Sequence, residues 1–340
     1  MNQIDIIIFT AIPEEFEAVT SHLSDTKDTF LESTGTFYQV GNYNDFTIAV
    51  TQTEAGNVKA ASEVERGINN FSPKYIFFVG VAGGLKDVKI GDVVVGTKVY
   101  AFEIGKEAEV YKPRFEFGIS SYALTQKAKA LQNKNTWQEK IVSTKFNQNF
   151  DTPKVYIKPI AAGEKVVANR DSATYKLIKD NCGDALAVEM EGYGFLEAVR
   201  PYTNISALLL RGISDLVDGK STADNSGSQL VASSNVAAFA FAVIDLLDRT
   251  NSNFNDIKTK IEETPNINDL YELVCKLYPK GIQDNRIWER SGGDISYFSN
   301  NNNSKEQWWD ALKKLENGGG GNLSFDSLAT TIRKDFPNSI

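Results

Sequence analysis

The chain has 340 residues, 41% of them apolar, enough for one large core and a smaller one beside it. A formal charge of −8 argues against a broad nucleic-acid footprint, which needs a basic face, and leaves room for a single nucleotide in a locally positive pocket. Two cysteines, Cys182 and Cys275, and one histidine, His22, are too few for a usual structural zinc site or a disulfide framework. With an N-terminus that lacks a basic, apolar leader, and with no apolar helix longer than 236–247, the expectation is a soluble cytoplasmic protein without a membrane span, metal or cofactor.

In chain order, residues 4–9 are an apolar run suited to a first, central strand. Thr10 is a candidate N-cap for the next helix, Pro13 suits its first turn, and Glu14, Glu15 and Glu17 suit its positive end. Either these acids serve the helix start, or one of them faces the crevice above the first strand. Residues 37–40 and 46–51 read as a hairpin with its turn over 41–45. A helix opens within 53–61 and runs to about Asn70. The run 75–79 is a buried strand that ends in Gly80-Val81-Ala82-Gly83-Gly84, where clustered glycines let a ligand approach backbone amides. That segment lacks the terminal Gly-Lys-Ser/Thr of a triphosphate loop and the spacing of a dinucleotide fingerprint. Residues 93–100 are strongly β-forming. Residues 101–118, aromatic and charged, read as a long loop that covers a site or is covered by a partner subunit. A helix over 121–132 precedes a polar, peripheral stretch to residue 153. The sheet resumes over 155–160, a helix spans 171–181, and a helix over 233–247 closes the domain.

The most informative stretch is 185–218. Its two apolar runs, 185–188 and 205–210, look like buried strands, and each leads into carboxylates: Glu189 and Glu191 after the first, Asp215 and Asp218 after the second. In an open α/β sheet, the crevice beyond the strands' carboxyl ends is where ligands bind, so acids delivered there by two strands read as a site.

Near Arg249 the composition changes. Residues 249–265 look like a linker and 266–340 like a small all-helical domain, with helices at 268–277, 305–315 and 325–336. Leu270, Leu273, Val274 and Leu277 mark one helix face; Trp288, Trp308, Trp309, Leu312 and Leu315 supply the rest of a core. No convergent acid/base set occurs there, which points to binding rather than catalysis.

Five motifs carry a resemblance: Thr10-Ala11-Ile12-Pro13-Glu14-Glu15, Gly56-Asn57-Val58-Lys59-Ala60-Ala61, Gly80-Val81-Ala82-Gly83-Gly84, Val188-Glu189-Met190-Glu191-Gly192 and Arg211-Gly212-Ile213-Ser214-Asp215. In this order they make residues 1–248 resemble the purine nucleoside phosphorylase and nucleosidase superfamily, most closely its methylthioadenosine/S-adenosylhomocysteine nucleosidases. The resemblance implies an α/β fold with a mixed twisted central sheet flanked by helices, assembled as a dimer or higher homo-oligomer. It implies that Asp215 is the general acid at purine N7 and that Glu15 orients and deprotonates the attacking water. Glu191 would hold the ribose hydroxyls, with Met190 near the sugar and Glu189 in a secondary part. Gly83, Val81, Val166 and Arg211 would complete the substrate-binding set.

Phosphorolysis needs cations around phosphate. Thr10 and Glu15 at the end of the first strand, and Phe77, Phe78 and Val81 further on, favour hydrolysis over a phosphate-dependent phosphorylase. A sensor that has kept the pocket and lost turnover is a third reading, opposed by the intact Glu15, Glu191 and Asp215. Val166 stands where these nucleosidases usually present an aromatic residue to the base. Lys165, Lys59, Arg170 and Arg211 raise a substrate with 5′-phosphates, against the plainer reading of surface or structural charges; Arg211 equally suits pairing with an acid of the site.

The tail also carries a resemblance, through Leu277-Tyr278-Pro279, residues 287–293, Trp308 with Ala311-Leu312, and Phe336-Pro337. These resemble the small helical effector-associated domains of bacterial defence proteins, death-domain-like adaptors that recruit a protein partner. The alternative is a tail that stabilises an oligomer. The combined expectation is a purine nucleosidase acting as an effector on a small-molecule nucleoside or nucleotide.

Overall fold

The computed structural model describes residues 3–109, 111–114, 116–217, 227–247, 267–298, 303–316 and 323–336. Asp218, Pro337 and the expected linker over 249–265 lie outside them. The strands of the described residues are β1 (Ile6–Thr10), β2 (Ser24–Phe30), β3 (Phe37–Tyr43), β4 (Phe46–Gln52), β5 (Tyr75–Gly84), β6 (Val93–Ala101), β7 (Gly105–Lys106), β8 (Lys112–Pro113), β9 (Glu116–Ile119), β10 (Val155–Ala162), β11 (Ala187–Glu189) and β12 (Ser206–Leu216). The helices are α1 (Pro13–Thr20), α2 (Asn57–Phe71), α3 (Tyr122–Gln132), α4 (Ala173–Asn181), α5 (Gly192–Val199), α6 (Ser228–Ile244), α7 (Ile267–Leu277), α8 (Ile287–Arg290), α9 (Ser304–Glu316) and α10 (Phe325–Asp335).

All five residues of β1 are buried, as in a strand covered on both faces. It pairs in parallel with β4 and β5, and β5 in turn pairs in parallel with β12. The main sheet runs β11-β10-β6-β12-β5-β1-β4-β3-β2, with β9 added to β6. Antiparallel pairings of β12 with β6 and of β2 and β4 with β3 make it a mixed sheet. An extra antiparallel pairing of β11 with β5 joins the two ends of one half, so β5, β12, β6, β10 and β11 form a closed, barrel-like ring. This is the mixed, helix-flanked α/β fold expected.

One sheet face packs on α6, in which nearly every residue is buried, as expected for a helix apolar all round. The other packs on α2 and α5 through Val64, Ile68, Phe195 and Val199. The helix expected over 233–247 therefore starts earlier and stops at Ile244. Residues 133–153 are not wholly peripheral: a 3-10 turn over Asn135–Lys140 sends Trp137 into the core, edge-on to Phe239 at 5.4 Å. The hairpin strands are longer than expected, and β2, charged and exposed, adds an edge strand that the sequence pattern did not mark. The expected loop over 101–118 is partly ordered as β7, β8 and the first residues of β9. Thr10 closes β1, and Ile12 rather than Thr10 stands at the N-cap position of α1.

The chain divides by its contacts into two units, Met1–Leu247 and Asp248–Ile340. The second is helical and has its own core of Leu270, Leu273, Val274, Trp288, Trp308, Leu312, Leu328 and Ile332. Trp308 donates from Nε1 to the Tyr278 carbonyl at 3.1 Å, so its polar end is satisfied inside that core. Trp309, expected in the core, is instead 38% exposed and meets Tyr271 edge-on. No helix of the described residues is long and apolar enough to cross a membrane.

Candidate active site

The closed half of the sheet, with β1 paired beside β5, brings the carboxyl ends of β1, β5, β11 and β12 to one cleft of about 170 Å³. Two of these strands run further than their apolar segments. β5 continues through the glycine cluster, where Gly83 and Gly84 pair with Val188 and Ala187, and β12 continues through Arg211 to Leu216. Arg211 and Asp215 thus lie within a strand, where the sequence had placed them after one. A register shift between Ile213 and Asp215 marks where β12 departs from regular pairing with β5.

Glu15 is delivered by the first turn of α1 and is 2% exposed. Its Oε2 accepts from the amides of Ala11 (2.6 Å) and Ile12 (3.2 Å), and its Oε1 from the amide of Val81 (2.7 Å). The two expectations for this residue, helix start and crevice, are therefore met by the same carboxylate. Burial pushes its pKa up; Arg211 and the three amides pull it part of the way back.

Arg211 is fully buried beneath the cleft. Its Nη2 pairs with Glu189 Oε2 and, at 3.2 Å, with Glu191 Oε2, and its guanidinium lies 4.5 Å from the Phe78 ring centre. Burial opposes its charge, but Glu189, Glu191 and Glu15 outweigh this and raise its pKa above the ordinary arginine value. Gly80 makes the room: a Cβ there would overlap Arg211 Nη1 and lie 2.9 Å from Glu15 Oε1.

Glu189 faces the start of α5. Its oxygens accept from the amides of Glu191 (3.0 Å) and Gly192 (2.8 and 3.0 Å), which satisfies the first turn of that helix. Glu191 accepts from the amide of Gly56 at 3.1 Å. Its pKa is pushed up to about 7: burial raises it most, Arg211 lowers it, Glu189 raises it, the Gly56 amide lowers it and Glu15 raises it. Asp215 is 4% exposed, accepts from Ser214 Oγ at 3.0 Å, and comes within 3.2 Å of where a Cβ on Gly83 would stand.

Of the nine residues singled out from sequence, eight line the cleft: Glu15, Val81, Gly83, Val166, Glu189, Met190, Glu191 and Asp215. Arg211 is not in its wall but behind the acids. Val166 is 58% exposed and gives the cleft an aliphatic wall where stacking on a base would need a ring. Lys165 also lines the cleft and pairs with Glu103 at 2.9 Å. Lys59 is exposed and pairs with Glu54. Sequence reasoning quoted Asn57, Gly80 and Ser214 inside motifs without giving them a part; it attached no meaning to Gln229, which also lines the cleft. Among the described residues, no group of three or more His, Cys, Asp and Glu side chains is placed to hold a metal.

A family model described as the phosphorylase superfamily matches residues 5–245. Among curated relatives, a death domain-containing ATP nucleosidase of Amphimedon queenslandica is 27% identical over 246 residues, covering 64% of this chain and 44% of its own. An ATP nucleosidase of Escherichia coli is 26% identical over 261 residues, 70% of this chain and 50% of its own. The match thus spans about half the length of these two relatives. A 5′-methylthioadenosine/S-adenosylhomocysteine nucleosidase of Maridesulfovibrio salexigens is 27% identical over 233 residues, 67% of this chain and 94% of its own. Among solved structures, the Neisseria meningitidis 5′-methylthioadenosine/S-adenosylhomocysteine nucleosidase with methylthio-immucillin-A has a TM-score of 0.57 at 22% identity, covering 72% of this chain and 99% of its own. Futalosine hydrolase of Helicobacter pylori has a TM-score of 0.58 at 22% identity, covering 72% and 98%. Both have this fold.

Proposed function

Because the chain belongs to the phosphorylase superfamily, we propose that residues 1–248 hydrolyse the N-glycosidic bond of a purine nucleoside or nucleotide and release the free base. One observation carries hydrolysis over phosphorolysis: the cation buried at the base of the cleft, Arg211, is already neutralised by Glu189 and Glu191, with Glu15 beside it. A phosphate brought there would meet carboxylates rather than free cationic donors. Water needs the opposite, a carboxylate of raised pKa held in place, and Glu15 is that group.

In this reading Glu191 accepts hydrogen bonds from the ribose hydroxyls and fixes the sugar beside Met190. Asp215 gives a proton to N7 as the C1′–N9 bond breaks and its electron pair passes to the purine, so that the base leaves neutral. The sugar carbon gathers oxocarbenium character, water adds to C1′, and its proton goes to Glu15. The products are free base and a sugar with a 1′-hydroxyl. Arg211 opposes the effect of burial on Glu191 and Glu15 and holds Glu189 and Glu191 in place from behind.

The names of two relatives, ATP nucleosidases, favour a nucleotide as substrate. Lys165 in the cleft wall supports this, since a phosphate chain can exchange places with Glu103. Residues 266–340, within the second unit, act as an adaptor that recruits a protein partner, and the whole chain is an effector that depletes a purine pool. Exposed Phe117 (51%), Ile119 (66%) and Tyr122 (78%), on and beside the edge strand β9, support a homo-oligomer. The test is release of adenine from ATP, AMP, adenosine and methylthioadenosine without phosphate. Release from ATP or AMP supports the nucleotide reading, release from methylthioadenosine alone replaces it with a thioether nucleoside, and dependence on phosphate overturns hydrolysis.

A further inference from the structure

Three segments that build one side of the cleft meet at a buried side chain that the chemistry above does not use. Asn57, the first residue of α2, is 9% exposed. Its Oδ1 accepts from the Gly194 amide in the first turn of α5 at 2.9 Å. Its Nδ2 donates to Glu164 Oε1 at 3.0 Å and to the Gly163 carbonyl at 3.4 Å, and its own amide donates to Glu164 Oε1 at 3.1 Å. The helices are in close backbone contact here, since a Cβ on Gly194 would overlap the Asn57 carbonyl.

The junction is flanked on both sides by the cleft. Immediately before it, Gly56 holds φ +111°, a left-handed backbone open to glycine, and from that conformation its amide donates to Glu191 Oε1 at 3.1 Å. Immediately after Glu164, residues 165–167 line the cleft. Only a side chain that donates and accepts at once fits between the Gly194 amide and the Glu164 carboxylate, which is what an amide provides.

We propose that Asn57 is a positioning residue: with Glu164 it locks the start of α2 to the start of α5 and to the 163–167 segment, and so holds the Gly56 amide on Glu191. This rests on the reading that Glu191 binds the ribose hydroxyls. Helix energetics alone makes the opposite forecast for Asn57→Asp, because an acid in the first turn of a helix is neutral or stabilising. In this network the same change keeps the acceptor for Gly194, removes the donor, and sets two carboxylates against each other.

The experiment uses the full chain with Asn57→Asp, and with Asn57→Asp combined with Glu164→Gln, in which the glutamine amide restores a donor–acceptor pair with the order reversed. In the ligand-free protein, hydrogen exchange at the Gly56 amide is expected to rise about tenfold in the single variant and to return to within about threefold of wild type in the double, with β1 amides unchanged. In base release from ATP, KM is expected to rise about tenfold in the single variant with kcat changed by less than about threefold, and to recover in the double. Unchanged Gly56 exchange in the single variant, or no recovery in the double, overturns the proposal whether or not the chain turns over. If exchange behaves as expected and wild type releases no base from any purine nucleoside or nucleotide, the positioning network stands and the nucleosidase reading fails.

Discussion

Asp215 and Glu191 are both buried carboxylates in one cleft, yet their surroundings fit them for different work. Asp215 accepts from the neighbouring Ser214 hydroxyl and stands at the end of β12, beside Gly83. Replacing it with asparagine keeps the volume and removes the transferable proton. Asp215→Asn is expected to lower kcat by about 10²–10⁴-fold, the usual worth of general acid catalysis, while circular dichroism and the melting temperature stay close to wild type. Wild-type kcat in that variant removes Asp215 as the acid. Glu191 must be charged to accept from two ribose hydroxyls, and its pKa is pushed up to about 7, mostly by burial. KM is therefore expected to fall as pH rises through about 7, and Glu191→Gln to abolish that dependence at the cost of weaker binding throughout. Stability runs the other way. The folded pKa lies above the ordinary value of 4.5, so this group's contribution is fully present below about 4.5 and is lost as pH rises through about 7. Melting curves between pH 5 and 8 should show wild type losing more stability than Glu191→Gln.

At the scale of elements, β5 and β12 show what the sequence pattern conveys and what it conceals. Their apolar halves, 75–79 and 205–210, were legible as buried strands because only Ser206 breaks their apolar runs. Their continuations were not, because neither the glycine cluster over 80–84 nor the segment from Arg211 to Asp215 carries an unbroken apolar run. Ring closure through β11 overrides those local preferences by giving the glycine backbone a partner. The same override explains Trp137, which sits in a polar stretch without periodicity and is buried only because α6 passes beside it. β2 was invisible for the reverse reason: an edge strand with exposed side chains leaves no apolar alternation to find. The candidate site was largely legible, since its acids come directly after apolar runs, but the position of Arg211 behind the acids rather than in the wall needed the fold. Gly80 tests this arrangement. In Gly80→Ala the new methyl overlaps Arg211 Nη1 inside a paired strand, so neither backbone nor guanidinium has room to yield. The variant is expected to lose about 1–3 kcal/mol in denaturant unfolding, with base release falling along with it. An unchanged unfolding midpoint contradicts the packing described for Arg211.

At the scale of the whole molecule, each unit has, among the described residues, a hydrophobic core of its own. The described wall of the cleft is built from residues between Ala11 and Gln229, all in the first unit. A chain ending at Leu247 is thus expected to fold and to release base with kcat/KM within about threefold of the full chain when no partner is present. A soluble, folded truncation without activity shows instead that the tail takes part in the chemistry. In the tail, α7, α9 and α10 and most of the core residues were legible from their spacing, whereas the short α8 was not and Trp309 was misplaced, because an aromatic beside Trp308 on one helix cannot share its inward face.

The measurement that bears most directly on the central claim is base release by the purified full-length chain in phosphate-free buffer, with ATP, AMP, adenosine and methylthioadenosine as substrates and the sugar product identified by mass spectrometry. The expected result is free adenine and an equal amount of a sugar with a 1′-hydroxyl, a rate unaffected by added phosphate, and loss of that rate in Asp215→Asn. Formation of a sugar 1-phosphate only when phosphate is supplied, or an unchanged rate in Asp215→Asn, would contradict it.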